Sequence, residues 1–492
     1  MHPVLSGIWT ITLAGLYVAG WVIRVWSIFI VPLNRRPSSA LRWLLVMMAF
    51  PWFGFILFKL IGSTKLPAKR QQDQYIADQL IRDAVTTAAK DPKLKPLLQP
   101  AVPVPYRAFE KLSHNLGGLP AFTSNTIELI PNYPDVFKRL KADIDAATQF
   151  VHLEFYIIAW DLPTELVLLA LGQAVKRGVK VRLLFDQFGS KKYPGHATLV
   201  SRLEALGAEV HPMLPVHFRR HDFTRPDLRN HRKIGVIDGN IAYTGSLNLI
   251  NRTYHRKDDI YYDELVARST GPVVPQFEAV FLTDWAAEAN EMLTADMHPE
   301  IQLSPRATGR TLAQVVPSGP AFETENNLKL FAALIHSAAT TVTIVNPYFV
   351  PDESLLVAIT SAANRGVRVC MINSAVSDQF LVSNSQRSYY DQLLAAGVEI
   401  YLYNQPILLH TKTITIDDQV AIIGSSNFDM RSFTLNLEVT LIAYDPEVVA
   451  SLQTIEQTYL SRSAQVTAKD WHQRTTRARV LENIARLTSA VQ

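Results

Sequence analysis

His231-Arg232-Lys233-Ile234-Gly235-Val236-Ile237-Asp238 returns later in the chain as His410-Thr411-Lys412-Thr413-Ile414-Thr415-Ile416-Asp417, with its His, Lys and Asp in the same places. A Gly-Ser and an Asn follow each copy, as Gly245, Ser246 and Asn248 and then as Gly424, Ser425 and Asn427. Every one of these residues is displaced by 179 positions (410 − 231, 424 − 245, 427 − 248). So rigid a register marks a duplicated unit. Upstream, Lys176-Arg177-Gly178-Val179-Lys180-Val181 is echoed by Asn364-Arg365-Gly366-Val367-Arg368-Val369 at an offset of 188. Leu206-Gly207-Ala208-Glu209-Val210 is echoed by Ala396-Gly397-Val398-Glu399-Ile400 at 190. The fall from 190 to 179 means that the first copy carries 11 extra residues between Val210 and His231.

Around the motifs each copy repeats one grammar. The spacing predicts a strand over 149–158, a helix over 162–176 capped by Gly178, and a buried strand over 179–185. It predicts the same over 341–350, 354–364 with Gly366, and 367–372. Both motifs run on into strands, 233–237 and 412–416. Alternation of strands with helices of this length predicts an α/β class, with two duplicated α/β sandwich lobes about a pseudo-twofold axis. The expected division is membrane segments over 1–64, a polar, helix-rich connector over 65–123, a first lobe over 124–310, and a second over 311–492 that ends in a basic helical tail.

A chain of 492 residues suits two lobes and an extension, and its net charge of +4 is too mild to argue for nucleic acid. The one cysteine, Cys370, excludes an intramolecular disulfide framework and reads as a buried strand residue. The first 64 residues stand apart: 8–31 is nearly unbroken apolar sequence with Arg24 as its single charge, and a second apolar run covers 43–58. No basic residue precedes the first run and a second run follows at once, so these read as membrane segments rather than a signal peptide. Arg35, Arg36 and Arg42 lie between the runs, and Lys65, Lys69 and Arg70 follow them, so both flanks carry the cytoplasmic signature. Two full spans would separate these flanks. A re-entrant hairpin at Pro51 would reconcile them, giving a multi-pass cell-membrane protein with its lobes on the cytoplasmic side.

Residues two apart on a strand share a face, so His231 projects with Lys233 and His410 with Lys412. Two lobes facing each other would bring two imidazoles and two fixed cations to one place, which suits a phosphodiester. One imidazole can attack phosphorus, the other can protonate the leaving alkoxide, and the lysines can steady the non-bridging oxygens. Asn248 and Asn427 are candidate donors to the same oxygens, with Ser246 and Ser425 as weaker ones. Asp238 and Asp417 complete the motif set, but on the opposite strand parity and next to turn residues, so bracing of the strand end is their expected role. The carboxylate that orients a histidine must come from elsewhere. Glu438 is the candidate in the second lobe, and Asp263 or Glu264 in the first. Two histidines with lysine neighbours and no clustered acids make a poor ligand set, so neither a metal nor another cofactor is expected.

These motifs resemble the paired HKD motifs of the phospholipase D superfamily. Pro37-Ser38-Ser39-Ala40-Leu41-Arg42-Trp43-Leu44-Leu45, Asn346-Pro347-Tyr348-Phe349-Val350-Pro351, and Leu408-Leu409-His410-Thr411-Lys412 with Asn427-x-Asp429-x-Arg431-Ser432 narrow the likeness to the bacterial cardiolipin synthases, over nearly the whole chain. The resemblance implies transfer of a phosphatidyl group between two phosphatidylglycerols, releasing glycerol, through a phosphatidyl-histidine and without a metal. It implies His231 as nucleophile and His410 as general acid. The chain departs from the family where a tryptophan and an acid are expected before Gly271-Pro272, having Tyr261-Tyr262-Asp263-Glu264 instead.

The extra residues in the first copy contribute to a basic approach, Arg219, Arg220, His221, Arg225 and Arg229, running into His231. Arg219 and Arg220 are candidate contacts for an anionic headgroup or leaflet, with a solvated loop as the plainer alternative. The expected partners are phosphatidylglycerol, other anionic lipids and the bilayer, not nucleic acid. The competing readings are a hydrolase, in which water resolves the intermediate, a membrane-tethered nuclease, and a silent lipid-binding protein. Intact residues in both motifs weigh against the last, and the lack of a long basic track with stacking aromatics weighs against the nuclease.

Overall fold

In both copies the helix that follows the first buried strand starts and stops where its sequence says it should. Asp161 caps Leu162–Lys176 by accepting from Thr164, and Asp352 caps Glu353–Asn364 by accepting from Ser354. Gly178 and Gly366, at φ 90° and 89°, release the chain into the next strand in the left-handed conformation that favours glycine. These details come from a computed structural model that describes residues 3–33, 35–63, 65–92, 95–98, 102–193, 195–216, 224–255, 259–294, 306–322 and 325–489. Its contacts divide the chain into Met1–Lys65 and Leu66–Gln492.

In the larger unit the first lobe contributes β1 (Phe122–Ile130), β2 (Phe150–Phe155), β3 (Lys180–Asp186), β4 (Glu209–Met213), β5 (Ile234–Ile237), β6 (Ile241–Gly245) and β7 (Val266–Thr270). The second contributes β8 (Thr311–Ser318), β9 (Thr341–Val345), β10 (Arg368–Ser374), β11 (Glu399–Tyr403), β12 (Thr413–Ile416), β13 (Val420–Gly424), β14 (Asn436–Tyr444) and an edge strand, β15 (Ser463–Val466). They follow one another in the order β4-β3-β2-β5-β6-β7-β1-β8-β14-β13-β12-β9-β10-β11-β15. The order reads the same outward from the β1–β8 seam, apart from β15, which is the pseudo-twofold relation in strand form. Parallel pairing of β2, β3 and β4, and of β9, β10 and β11, requires crossovers, supplied by Leu162–Lys176 and His196–Ala205 in one lobe and by Glu353–Asn364 and Phe380–Ala395 in the other.

Each lobe has its own apolar core, and a third cluster joins them. Ile234, Val236, Val274 and Phe277 from the first half pack with Val315, Ala421, Ile423 and Val439 from the second. The lobes therefore fold as one body with a dry seam. The polar segment from Leu66 to Leu119, read as a connector, belongs to that body. Helix Ala68–Lys90 pairs Arg70 with Glu288, and the Tyr106 hydroxyl donates to Asp417 at 3.1 Å. Cys370 is buried, which pushes its thiol up to about 12.

The smaller unit holds α1 (Pro3–Ile30), α2 (Pro37–Ala49) and α3 (Pro51–Ile61). Within α1, Ile11–Ile30 is long and apolar enough to cross a membrane. The second apolar run is broken at Pro51 into helices of 13 and 11 residues, which reach only about 20 and 16 Å against a hydrocarbon core of about 30 Å. Gly54 lets α3 approach α2 closely: a Cβ there would lie 3.0 Å from the Met47 backbone. Arg24, the one charge in α1, donates through Nε to the Met48 carbonyl at 3.0 Å, satisfying an acceptor at the C-terminal end of α2.

Candidate active site

His231 and His410 do not sit within regular strands. Each lies at a joint where the chain changes partner. Arg229–Asn230 pairs in parallel with Asn436-Leu437 of the other lobe, and four residues later β5 has joined its own sheet. Ile407–Leu409 pairs likewise with Tyr261–Asp263 before β12 rejoins the second sheet. The His231 amide donates to the Leu437 carbonyl at 2.8 Å, and the His410 amide to the Asp263 carbonyl at 2.7 Å. Each histidine is thus anchored by the backbone of the opposite lobe.

The side chains follow the same exchange. His231 Nδ1 meets both carboxylate oxygens of Glu438 at 3.0 Å, and His410 Nδ1 meets those of Glu264 at 3.0 and 2.9 Å. A carboxylate on Nδ1 fixes that nitrogen as the N–H and leaves the Nε2 lone pair available. Lys233 Nζ donates to the His231 carbonyl and Lys412 Nζ to the His410 carbonyl, both at 2.6 Å. Glu438 is therefore a site residue for the histidine of the other lobe. Of the two first-lobe candidates Glu264 is the partner, while Asp263 takes Arg252 at 2.7 Å and Tyr403 at 3.0 Å.

Both histidines are buried, 8 % and 5 % exposed. Burial drives the His231 imidazole down to about 4 against the pull of Glu438, and Lys233 and Lys412 push it further. His410 is lowered by burial too, opposed by Glu264, with Lys412 and Lys233 adding to the fall. Burial takes the Lys233 ammonium down to about 7, partly restored by Glu438, and Lys412 to about 8, partly restored by Glu264. Burial works to raise Glu438, yet His231, Lys233 and Ser425 outweigh it and hold the carboxyl below its ordinary range. Burial thus favours the neutral form of both imidazoles. That each histidine feels the other lobe's lysine shows the four groups sharing one low-dielectric space.

The remaining motif residues separate by task. Asn248 and Asn427 are buried beside the histidines' strands, and neither amide oxygen accepts a hydrogen bond from the protein. The serine hydroxyls are engaged within the protein. Ser246 Oγ accepts from the Leu265 amide at 2.9 Å and Ser425 Oγ from the Val439 amide at 3.0 Å, while the Ser425 hydroxyl also donates to Glu438. Each thus grips the residue after an orienting glutamate. Gly245 and Gly424 allow this close approach, since a Cβ would come 2.2 Å from the Leu265 carbonyl in one and 2.7 Å from the Val439 carbonyl in the other. Asp238 and Asp417 are structural members of the motif rather than catalytic ones. Asp238 accepts from the Thr148, Gln149 and Phe150 amides at 2.8 to 2.9 Å, and Asp417 from Ala339, Thr340 and Thr341 at 2.6 to 2.9 Å. Both sit at positive φ, 51° and 49°, in the turn that closes the hairpin after each motif.

Of the basic approach, Arg219, Arg220 and His221 lie outside the described residues. Arg229 is no approach at all: it is buried and donates to Asp186 at 3.2 Å and to the Leu214 carbonyl at 2.9 Å. Arg225 is held by Asp227 at 2.6 Å. Four aromatic and acidic residues that sequence reasoning did not assign to the site close it. The Tyr156 ring stands edge-on to His231 at 5.1 Å and Tyr262 to His410 at 5.6 Å. The Tyr262 and Tyr348 hydroxyls both donate to Asp378, at 3.1 and 2.6 Å. Tyr348 lay within a quoted signature, but Asp378 carried no local signal.

A family model described as cardiolipin synthase, PLD-like domain, matches residues 140–285 and 331–458, once in each lobe. Cardiolipin synthase A of Proteus mirabilis is 32 % identical over 94 % of this chain and 95 % of its own. The chain belongs to the cardiolipin synthase family. A further family member, the cardiolipin synthase of Halalkalibacterium halodurans, is 32 % identical over 96 % of both chains. Among solved structures, phosphatidylserine synthase from Haemophilus influenzae superposes with a TM-score of 0.59 at 14 % identity, over 78 % of this chain and 99 % of its own, a likeness of fold. As a member of this family the chain is a phosphatidyltransferase of the phospholipase D type, with phospholipid substrates.

Proposed function

We propose that the chain joins two phosphatidylglycerols into cardiolipin and glycerol by two phosphoryl transfers through His231. The carrying observation is the exchanged pair of histidine–glutamate contacts, which leaves two Nε2 atoms as the unengaged ends of two oriented imidazoles. His231 Nε2 attacks the phosphorus of the first lipid, forming a P–N bond as the P–O bond to glycerol breaks, and His410 delivers a proton to that oxygen. The primary hydroxyl of a second phosphatidylglycerol then gives its proton back to His410 and attacks phosphorus, breaking the P–N bond. Both steps conserve charge and are reversible.

The value of about 4 supports His231 as nucleophile, because an imidazole so lowered stays a free base throughout the physiological range. His410 must be protonated for the first step. The incoming phosphodiester supplies the reason, since its negative charge raises the affinity of His410 and of both lysines for protons. Lys233, Lys412, Asn248 and Asn427 would hold the non-bridging oxygens, and the scheme calls on no metal or other cofactor. Purified enzyme with phosphatidylglycerol vesicles should release glycerol and accumulate a four-chain lipid, undiminished by chelator. Phosphatidic acid as the main product would favour the hydrolase instead.

For localisation, the reading is a cell-membrane protein in which α1 spans and α2–α3 form a re-entrant hairpin, with the catalytic body on the cytoplasmic side. Reporters fused in the Arg35 loop and after Thr64 should report the same side. The proposed domain division keeps lobe boundaries at 124 and 311, and Arg219 and Arg220 remain proposed headgroup contacts. Their reversal to Glu should raise the half-saturating lipid concentration.

A further inference from the structure

Helix Thr476–Arg486 carries two stripes. Glu482 and Ala485 are buried against helix Phe380–Ala395, where Ser489 meets Ser385 at 3.3 Å and Arg474 meets Asp391 at 2.7 Å, so the two helices run antiparallel. At about 100° per residue, Val480, Leu481, Ile484 and Leu487 fall on a second arc, centred about 140° away from the first. Among the described residues none covers it: Val480 is 53 % exposed, Ile484 56 % and Leu487 78 %. The antiparallel register brings the Leu487 end of this stripe beside Ser385 and Tyr389 of the partner helix, in whose first turn Phe380 is 67 % exposed. Two residues before Phe380 stands Asp378, which holds Tyr262 and Tyr348 beside His410. The stripe therefore lies on a helix packed against the one that begins two residues after Asp378. Arg477 and Arg479 are exposed along the helix, and Arg486 rests over the Tyr389 ring at 4.2 Å.

We propose that Val480, Ile484, Leu487 and Phe380 form a docking surface for an anionic phospholipid bilayer, which seats the His410 side of the site at the interface. An exposed apolar arc flanked by arginines has the chemistry of an interfacial helix, in which side chains enter the acyl boundary while guanidinium groups meet phosphates. A protein partner would leave the positive flank without its complement. The choice of a bilayer as occupant rests on the lipid-substrate reading, but the geometry of the arc does not.

The test uses the full chain in vesicles of phosphatidylglycerol and phosphatidylcholine. Cys370 is 4 % exposed, so a Leu487→Cys variant offers one accessible thiol for an environment-sensitive fluorophore. Its emission should shift to the blue and fall by about half with nitroxide-labelled lipid, as for a side chain buried at the acyl boundary. A label at Asp145→Cys, near the Thr148–Asp238 end of the strands, should stay unquenched. A water-like, unquenched label at 487 would overturn the proposal, as would its cross-linking to a second copy, which would make the arc a dimer contact. This readout needs no turnover, so it stands apart from any failure of the transferase reading. In active enzyme, Ile484→Glu with Leu487→Glu should raise KM for vesicle lipid about tenfold while leaving kcat on a dispersed short-chain phosphatidylglycerol unchanged. Equal loss on both substrates would also overturn it.

Discussion

The two half-sites hold the same imidazole–glutamate–lysine geometry on different foundations. Behind His231 lies a buried ionic network: Arg232, 1 % exposed, pairs with Asp284 and donates through Nε to the Glu438 carbonyl at 3.1 Å, and Asn230 donates to Glu154 at 2.9 Å. Burial pushes Glu154 well above the ordinary carboxylate range, and Asp284 beside it adds to the rise. Behind His410 the equivalent position is Thr411, whose hydroxyl meets Tyr459 at 3.1 Å, and Leu409 replaces Asn230. Aromatic rings and Asp378 crowd this second side instead. Duplication preserved the histidine–glutamate–lysine geometry of each half-site, whereas the supports behind it diverged. The His231 half is locked by charge and the His410 half is framed by tyrosines.

That contrast can be broken in order of expected effect. His231→Ala and His410→Ala should each lower turnover by about 10³-fold or more, but unequally in kind. Covalent label from phosphatidylglycerol should never appear on the first variant, whereas on the second it should both form and leave slowly. Arg232→Thr, which installs the second motif's residue in the first, should cost about 3–5 kcal/mol of stability because Asp284 is left as a buried unpaired charge. Thr411→Val should cost about 1 kcal/mol, a difference readable by chemical denaturation. Glu438→Gln and Glu264→Gln should each reduce kcat by about 10- to 100-fold with a smaller change in KM, since each orients a histidine without touching substrate. A fall in KM alone would argue against that role.

The pH dependence sharpens the comparison further. Lys233 and Lys412 serve the anion when protonated, and their values of about 7 and 8 mean that charge is lost as pH rises through that window. Accordingly kcat/KM should decline by about tenfold per unit once pH passes 7, and more steeply above 8 as the second ammonium also loses its proton. No acid limb from His231 is expected until pH approaches its value of about 4. Binding of a phosphodiester near pH 7.5 should take up protons, visible as a calorimetric heat that varies with buffer ionisation enthalpy. Asp238→Ala should remove about 1–2 kcal/mol of stability by orphaning strand-end amides while leaving kcat intact.

Much of the site was legible because its chemistry is written in short-range register. Six motif residues, two asparagines and the Gly-Ser pairs repeat at 179, and repetition is visible without a structure. Glu438 could be singled out as a carboxylate within the otherwise apolar run of β14. Asp263 and Glu264 could not be told apart, because neighbours on a strand face opposite ways and only sheet register says which faces the site. The partners of Ser246 and Ser425 likewise depend on strand pairing, since their hydroxyls meet the residue after each orienting glutamate. The basic approach looked continuous as a string, yet Arg229 turned inward to Asp186.

By itself, then, the sequence determined the duplicated α/β lobes, the apolar N-terminal segments, and the kinds of groups present, since local periodicity and fixed spacing encode them. Only the tertiary structure decided that each lobe's glutamate serves the other lobe's histidine. The reason is the change of strand partner at 230 and at 409, where backbone pairing crosses the seam. Such a pairing joins residues 207 and 146 positions apart, and no local pattern records it.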